Sequence, residues 1–484
     1  MAIHTQFSTD PNAIVTVQVS IIEAPTPNTY QRTGALVSFG ATNLAAQDSS
    51  LLTQLSDLTA LLPAAMGVTA ATWGASLVTV TLPSAVPNIT IGDVVPLDLA
   101  GFTPAEYNGR VQATFTANNT FTYPLSPNPG TVTVLGTAQF SSVTELSQMA
   151  TTYFAQGNQV GVWVLELGYQ NSLTNKVTAL ENWLNSNPKT VYGFLMPREF
   201  GTSAGISAFK SLLAQYENPE AMEYFWLTVD VSQISALGAT YKDVIQLVEA
   251  PSLVDPTQMN LMNAGGEFTM AALFYNALVY RASNTNRIAP MAFKYVYGVT
   301  PYPTKNNGPL LRSFKAANTN YISTGAEGGI SFTMVYEGVT LDGHDYFNWW
   351  YTIDWVQIQV NLDLSNAIIN GSNNPLSPLY YNQDGINYLE TILYGTMQDA
   401  STFGMVVGKI EITTLDGPAL SAAINAGQFA GMCDVNAVPF LNYTLANPGD
   451  YKIGEYDGLS ALFIPARGFI HILVNVVATD LVSV

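Results

Sequence analysis

At 484 residues the chain is long enough for about two to four domains and for cores that need no cross-links. Its 16 Lys and Arg against 35 Asp and Glu set a formal net charge of −19, which excludes a basic surface for nucleic-acid phosphates. A single cysteine, Cys433, excludes an internal disulfide and a cysteine-built metal site, and fits a buried thiol in a reducing cytosol.

Met1–Asp10 lacks the basic start and apolar core of a secretory leader, so none is expected. Over 13–22, Val15, Val17, Val19 and Ile21 alternate with Thr16, Gln18 and Ser20, the period of a strand with two unlike faces; Pro25 and Pro27 end it. A strand is expected at Ala35–Phe39 and a helix over Ser49–Leu62, stopped by Pro63. From Thr69 to Ala138 charge is sparse, and runs of Val, Thr and Phe are cut by Pro, Gly and Asn, which predicts an all-β module of short strands. Ser142-Val-Thr-Glu145 has the form of a capping box. Leu146, Met149, Ala150, Tyr153 and Phe154 then share one helical face, with Gly157 placed to end it.

Strand and helix alternate from there. Strands are expected at 160–167, 190–196 and 226–231, with helices near 172–185, 203–216, 241–248 and 267–282. This order predicts an α/β core with a largely parallel sheet, into which the β module is inserted. Residues 290–331 read as loop-rich, followed by a strand at 331–337, an aromatic and acidic stretch, and helices near 355–369 and 385–400. Beyond Gly404 the chain reads as mostly β, and Phe469–Val477 alternates as the N-terminal segment does. The apolar tail Leu459–Val484 is broken by Pro465, Arg467, His471 and Asp480, so no membrane insertion is expected.

Only 11% of residues are charged, against about 25% in ordinary soluble proteins. Such a shortage points to surface covered by other subunits, or to a glycan-facing exterior.

The candidate chemistry is thin. Gly201-Thr-Ser-Ala-Gly205 fits a serine nucleophile elbow between a strand and a helix, with His344 or His471 as base and Asp345 or Asp434 to orient it. Pro197–Phe200 would blunt that turn, and Thr202 or Ser203 serves equally as a helix cap. Glu337, Asp342, Asp345 and Asp354, beside Trp349, Trp350 and Trp355, offer the parts of a glycosidase. The same tryptophans fit a core or an interface, and Asp342-Gly343 fits a turn. His4, His344 and His471 are isolated, and no Walker or dinucleotide glycine pattern occurs, so no cofactor or metal is expected. Asn-x-Ser/Thr triplets at Asn88, Asn118, Asn370 and Asn442 carry no weight in so Asn- and Thr-rich a chain.

Residues 331–407 resemble the C-terminal half of contractile phage tail sheath proteins. The resemblance is carried by Gly338-Val-Thr-Leu-Asp-Gly343, Asn348-Trp-Trp350, the helix-forming Ile353-Asp-Trp355, Tyr381-Asn-Gln-Asp-Gly-Ile386 and Met397–Gly404. Ser141–Gly168 is similar to the family's core helix–strand step, and the phrases Gly101–Gly109 and Asn119–Tyr123 look like small β modules of phage tails. The family pattern is a strand-turn, a Trp-bearing link, then a long helix with an aspartate at its start.

What the resemblance implies is an α/β (α+β) sheath core with a mixed sheet flanked by helices, an inserted all-β module, and extended N- and C-terminal β arms. The division is an arm at 1–27, core at 28–68 and 139–290, module at 69–138, the C-terminal part of the core at 291–460, and an arm at 461–484. The arms would add strands to a neighbour's sheet through Ile14, Val15, Val17, Val19 and Ile21, and through Ile470, Ile472, Val474 and Val476. Pro25–Pro27 and Asn447–Gly449 would be their hinges. The implied partners are further copies in hexameric rings and a helical stack, the tail tube, baseplate and terminator proteins. No catalytic residue is implied. The rival is a tail-associated glycan-binding or glycan-degrading protein using 335–360.

Overall fold

The computed structural model describes residues 27–468 apart from 217–220, 239, 251–253, 256–257, 263–265, 284–286, 288–289, 304–306, 326–331, 344–345, 409, 413–421 and 423–432. Both expected arm strands, with Ile14, Val15, Val17, Val19, Ile21, Ile470, Ile472, Val474 and Val476, lie outside the described residues.

In chain order, a short α1 (Pro27–Tyr30) leads to β1 (Gly34–Ser38), β2 (Ser49–Leu52) and a short α2 (Leu55–Thr59). Seven strands follow: β3 (Met66–Gly67), β4 (Ala70–Gly74), β5 (Leu77–Thr81), β6 (Val94–Ala100), β7 (Gly109–Ala117), β8 (Thr120–Pro124) and β9 (Thr137–Phe140). The alternating part comprises α3 (Ser141–Ala155), β10 (Val162–Glu166), α4 (Leu173–Ser186), β11 (Gly193–Leu195), α5 (Ser203–Tyr216), β12 (Tyr224–Val229) and β13 (Val244–Val248). A small hairpin, β14 (Val254–Asp255) and β15 (Gln258–Met262), precedes α6 (Thr269–Leu278). Then come α7 (Gly308–Ala316), the antiparallel pair β16 (Tyr321–Gly325) and β17 (Phe332–Tyr336), and two long helices, α8 (Phe347–Ser372) and α9 (Gln383–Thr402). The last strands are β18 (Ile410–Ile412), β19 (Cys433–Ala437) and β20 (Leu459–Leu462).

The central sheet is mixed and six-stranded, in the order β13-β12-β11-β1-β10-β2. Every pairing is parallel except that of β2, which lies antiparallel on β10. Parallel strands covered on both faces read as near-continuous apolar runs, and β1, β12 and β13 are buried throughout. The pleat sends alternate residues to opposite layers. Phe194, Phe225 and Leu227 pack with Leu180, Trp183 and Phe209 from α4 and α5. Leu195, Trp226 and Ile245 face Met149, Tyr153, Phe274 and Tyr351 from α3, α6 and α8.

Strands β3 to β9 form a separate antiparallel sheet with its own core, including Val78, Val80, Leu97, Phe115 and Phe121. Its first and last strands pair, Met66 opposite Ala138, so the chain enters and leaves side by side, as an insertion requires. The Asp98–Arg110 ion pair lies beside that exit, and the Thr144 hydroxyl of α3 donates to the same Asp98.

Several expected elements are corrected. The helix over 49–62 is a strand followed by one helical turn: Ser49–Leu52 pair with the outer edge of β10, and the Asp57 carboxylate accepts from the backbone N–H groups of Thr53 and Gln54 to start α2. The 241–248 segment is β13, not a helix. Its free edge is closed by Asn320 and Leu341, whose N–H groups donate to Gln246 and Val244 carbonyls. The capping box does not form. The helix already begins at Ser141 with Phe140 at its cap, so Ser142 stands inside the helix, and the Glu145 carboxylate turns inward to Arg198. The rest of the α3 expectation holds, with Leu146, Met149, Ala150 and Tyr153 buried, Phe154 half-buried, and Gly157 at φ +146° after the helix. The loop-rich 290–331 contains α7 and β16, and the residues beyond Gly404 include helices Phe440–Ala446 and Pro448–Ile453 among the strands. The latter places Asn447–Gly449 at a helix–helix corner, tied by Tyr443 Oη to Asp450 at 2.9 Å, rather than in a loose hinge. Among the described residues no helix is long and apolar enough to cross a membrane.

Candidate functional site

The aromatic and acidic stretch forms a strand, a tight turn and the first half of α8. Glu337, Gly338 and Gly343 all have φ of +73°. A side chain on Gly338 would strike the Ala292 backbone, so the turn admits no other residue there without movement. Asn320 clamps the next residue, donating to the Val339 carbonyl and accepting from its N–H, each at 2.9 Å. Asp342 accepts from the Thr340 hydroxyl at 2.7 Å and from the Trp350 indole at 3.1 Å, which holds the helix start against the turn. The helix begins at Phe347, so Trp349 and Trp350 lie in its first turn, their rings edge-to-face at 4.7 Å. Trp355 is buried against Phe403 of the following segment.

Asp354 is therefore not at the helix start but two turns in, on the face that carries Phe347, Tyr351 and Ile358 into the central core. It is fully buried, and Oδ2 accepts from the Tyr192 and Tyr224 hydroxyls, each at 2.8 Å. Burial pushes its carboxyl up to about 6; Lys242 and the two phenol hydrogen bonds pull the other way, and Glu223 adds to the rise. Such a carboxylate is out of reach of any substrate. Asp342 serves the turn, while Asp345 and His344 lie outside the described residues. Thus the parts of a glycosidase are not brought together among the described residues.

The Gly201–Gly205 segment is built for packing. Thr202 caps α5, its hydroxyl accepting from the Gly205 N–H at 3.0 Å. A side chain on Gly201 would strike the Thr228 carbonyl, and one on Gly205 the Glu199 carbonyl, so both glycines let backbones touch. His4 and His471 lie outside the described residues, and Asp434 sits on β19 in another sheet. Among the described residues there is no group of three or more His, Cys, Asp or Glu side chains that could hold a metal. Of Cys433, only the backbone belongs to the described structure, at the start of β19.

A buried ion cluster was not anticipated. Arg198 is fully enclosed, bidentate to Glu249 at 2.7 and 2.9 Å, with its backbone N–H on Glu145 and its guanidinium 3.9 Å from the Phe268 ring centroid. Burial pushes Glu145 up while Arg198 pulls it down. The one available signal was an arginine within the apolar run 190–201. Its partners, 51 and 53 residues away, left no trace in the spacing.

The C-terminal body places α9 against a sheet of three strands in the order β18-β19-β20. Trp355, Leu393, Met397, Val406 and Val435 make its core. Both outer strands have one pairing partner among the described strands. Residues 464–468 stay on the body: the Ile464 carbonyl accepts from Val407, Ala466 donates to Met405, Asn348 donates to the Ala466 carbonyl, and Arg467 lies over Trp349. The last described residues thus lie against the start of α8, with Gly468 beside Pro290.

No family model and no curated protein sequence matches the chain. Solved structures do. The fold is that of a chain in the six-fold-symmetrised baseplate of the anti-feeding prophage, with a TM-score of 0.52 at 12% identity over 94% of this chain and 96% of that one. A chain of the same prophage's helical sheath in the contracted state gives 0.50 at 12% identity, over 95% and 98%. A sheath tail protein from Listeria innocua aligns over 81% and 91% at 11% identity, and its TM-score of 0.38 carries no argument. At such identities the likeness is one of fold.

Proposed function

We propose that the chain is a structural subunit of a contractile phage tail sheath. Copies form hexameric rings stacked helically around a tail tube, between baseplate and terminator proteins, after synthesis in the host cytoplasm. The observation that carries this reading is the end-to-end fold likeness to a baseplate chain and a contracted-sheath chain, over 94% or more of both partners in each pair. Two features of this chain support it. Leu376, Leu445 and Ile453 are 95%, 73% and 71% exposed on the C-terminal body, where a lone soluble subunit would gain from polar side chains. Among the described strands, the outer β18 and β20 each have one partner, and an added strand could pair with their other sides.

In this reading the arms at 1–27 and 461–484 carry Ile14–Ile21 and Ile470–Val476 to neighbouring copies, and the C-terminal sheet receives them. The inserted module at 69–138 is a separate unit, so replacing 68–136 by a short turn leaves a folded body. The contraction works through new subunit contacts and rigid-body movement, with no catalytic residue. Negative-stain microscopy of the purified chain tests the assembly: tubes or stacked rings are expected, and monomers under every condition of salt and concentration overturn it. Deleting residues 1–22 is expected to abolish polymers while leaving the thermal transition in place. Polymers of normal length from that truncation would sink the arm assignment.

A further inference from the structure

We propose that Asp354 is a proton-operated latch that seats the long helix α8 on the central sheet when neutral and loosens it when ionised. The inference concerns the body of the subunit alone and holds whatever assembly the chain enters.

Helix α8 belongs to two cores at once. Phe347, Tyr351 and Ile358 pack with the central sheet, whereas Trp355 and Val356 pack with α9 and the C-terminal sheet. How firmly α8 seats therefore decides how firmly the C-terminal body is joined to the central one. Asp354 stands at that seat. Its Oδ2 takes both phenol donors, from Tyr192 before β11 and Tyr224 in β12, while Oδ1 is buried without a hydrogen-bond partner. Gln31, just after α1, bonds the Tyr351 carbonyl through its amide nitrogen at 2.9 Å and reaches the Tyr192 hydroxyl; its own Oε1 is also buried without a partner. The site thus holds two orphaned acceptors, while the Arg32 guanidinium acts on the Tyr351 side with its Nε also buried and unpartnered. An orphaned carboxylate oxygen in an enclosed site is costly, and a proton on Oδ1 turns it into a donor.

The surrounding charges point the same way. The one ammonium at the site, Lys242, is already committed to Asp243 and to the Ala221 carbonyl, 2.7 Å away. Glu223 adds a further carboxyl beside β12, and Tyr30 and Tyr351 are phenols that burial keeps protonated. Three carboxyls therefore share one ammonium. Burial raises Asp354 to about 6 and pushes Asp243 upward even against Lys242. Because the folded value lies above the ordinary aspartate value of 3.8, the folded chain binds this proton more tightly than the unfolded chain. The stability it contributes is fully present below about pH 4 and is lost as pH rises through about 6.

The test is thermal melting of the full chain from pH 5 to 7.5, wild type against Asp354→Asn. The asparagine keeps the shape without the charge. It is expected to melt about 5 °C above wild type at pH 7.5, with the gap closing towards pH 5. A gap that does not change with pH overturns the latch and leaves a merely structural role. Tyr224→Phe keeps the question open to measurement if the asparagine variant does not fold. It removes one donor to the carboxylate, so the midpoint of the wild-type pH dependence is expected to move upward. An unmoved midpoint overturns the proposal.

Discussion

The central sheet and the C-terminal sheet differ in how many of their strand edges the chain itself closes. In the central sheet, the antiparallel β2 covers β10 and the segment around Asn320 and Leu341 closes β13, which leaves β2, paired once among the described strands, as the outer edge. Both faces are covered by helices, and the buried Arg198 finds its partner in Glu249. The C-terminal sheet has three strands, a core on the α9 side, and outer strands each paired once among the described residues. Backbone donors and acceptors left at an edge invite another strand. Among the described residues the central sheet keeps one such edge, at β2, and the C-terminal sheet keeps two, at β18 and β20.

Four substitutions break or sharpen that contrast, the first with the largest effect. Arg198→Ala leaves two buried carboxylates without their cation, and is expected to cost about 3–5 kcal/mol in denaturant unfolding. A loss below about 1 kcal/mol would mean that the central body does not depend on its buried pair. Met397→Ala empties a fully buried position in the C-terminal core, with an expected loss of about 2–4 kcal/mol and reduced amide protection confined to α9 and β19. Protection lost equally in the central sheet would show that the two bodies unfold as one.

Asn382→Ala removes the side chain that accepts from the Gly385 N–H at the start of α9, for about 1 kcal/mol. Leu376→Asp is expected to change folded stability by less than about 0.5 kcal/mol, because the leucine is 95% exposed. In the proposed assembly it nevertheless shortens or abolishes polymers seen by microscopy; unchanged polymers would remove that surface from the subunit contacts.

Much of the architecture was legible in the residues. Helices over 172–185 and 203–216 follow from apolar spacing, a Ser172 cap and the threonine before Ser203; the structure places them at Leu173–Ser186 and Ser203–Tyr216. Two segments were misread for a common reason. Leu51, Leu52, Leu55 and Leu58 have helical spacing, and the short apolar run after Tyr241 fits a strand or a helix equally. An open sheet edge nearby, invisible in local sequence, decided both. The candidate site shows the same limit. The stretch 335–360 stands out by composition, but Asp354 takes its meaning from Tyr192 and Tyr224, which are 162 and 130 residues distant.

The sequence by itself determined most of the kinds of element, the position of the β insertion and the poverty of charge. These follow from backbone preference and side-chain periodicity, which act over a few residues. The tertiary structure alone decided which edges close, which glycines permit contact between backbones, and which carboxylates face water and which do not. Desolvation depends on what surrounds a group rather than on the group itself. For that reason four similar acids between 337 and 354 read in the sequence as equivalent, while among the three described ones the folded chain fully buries Asp354 alone.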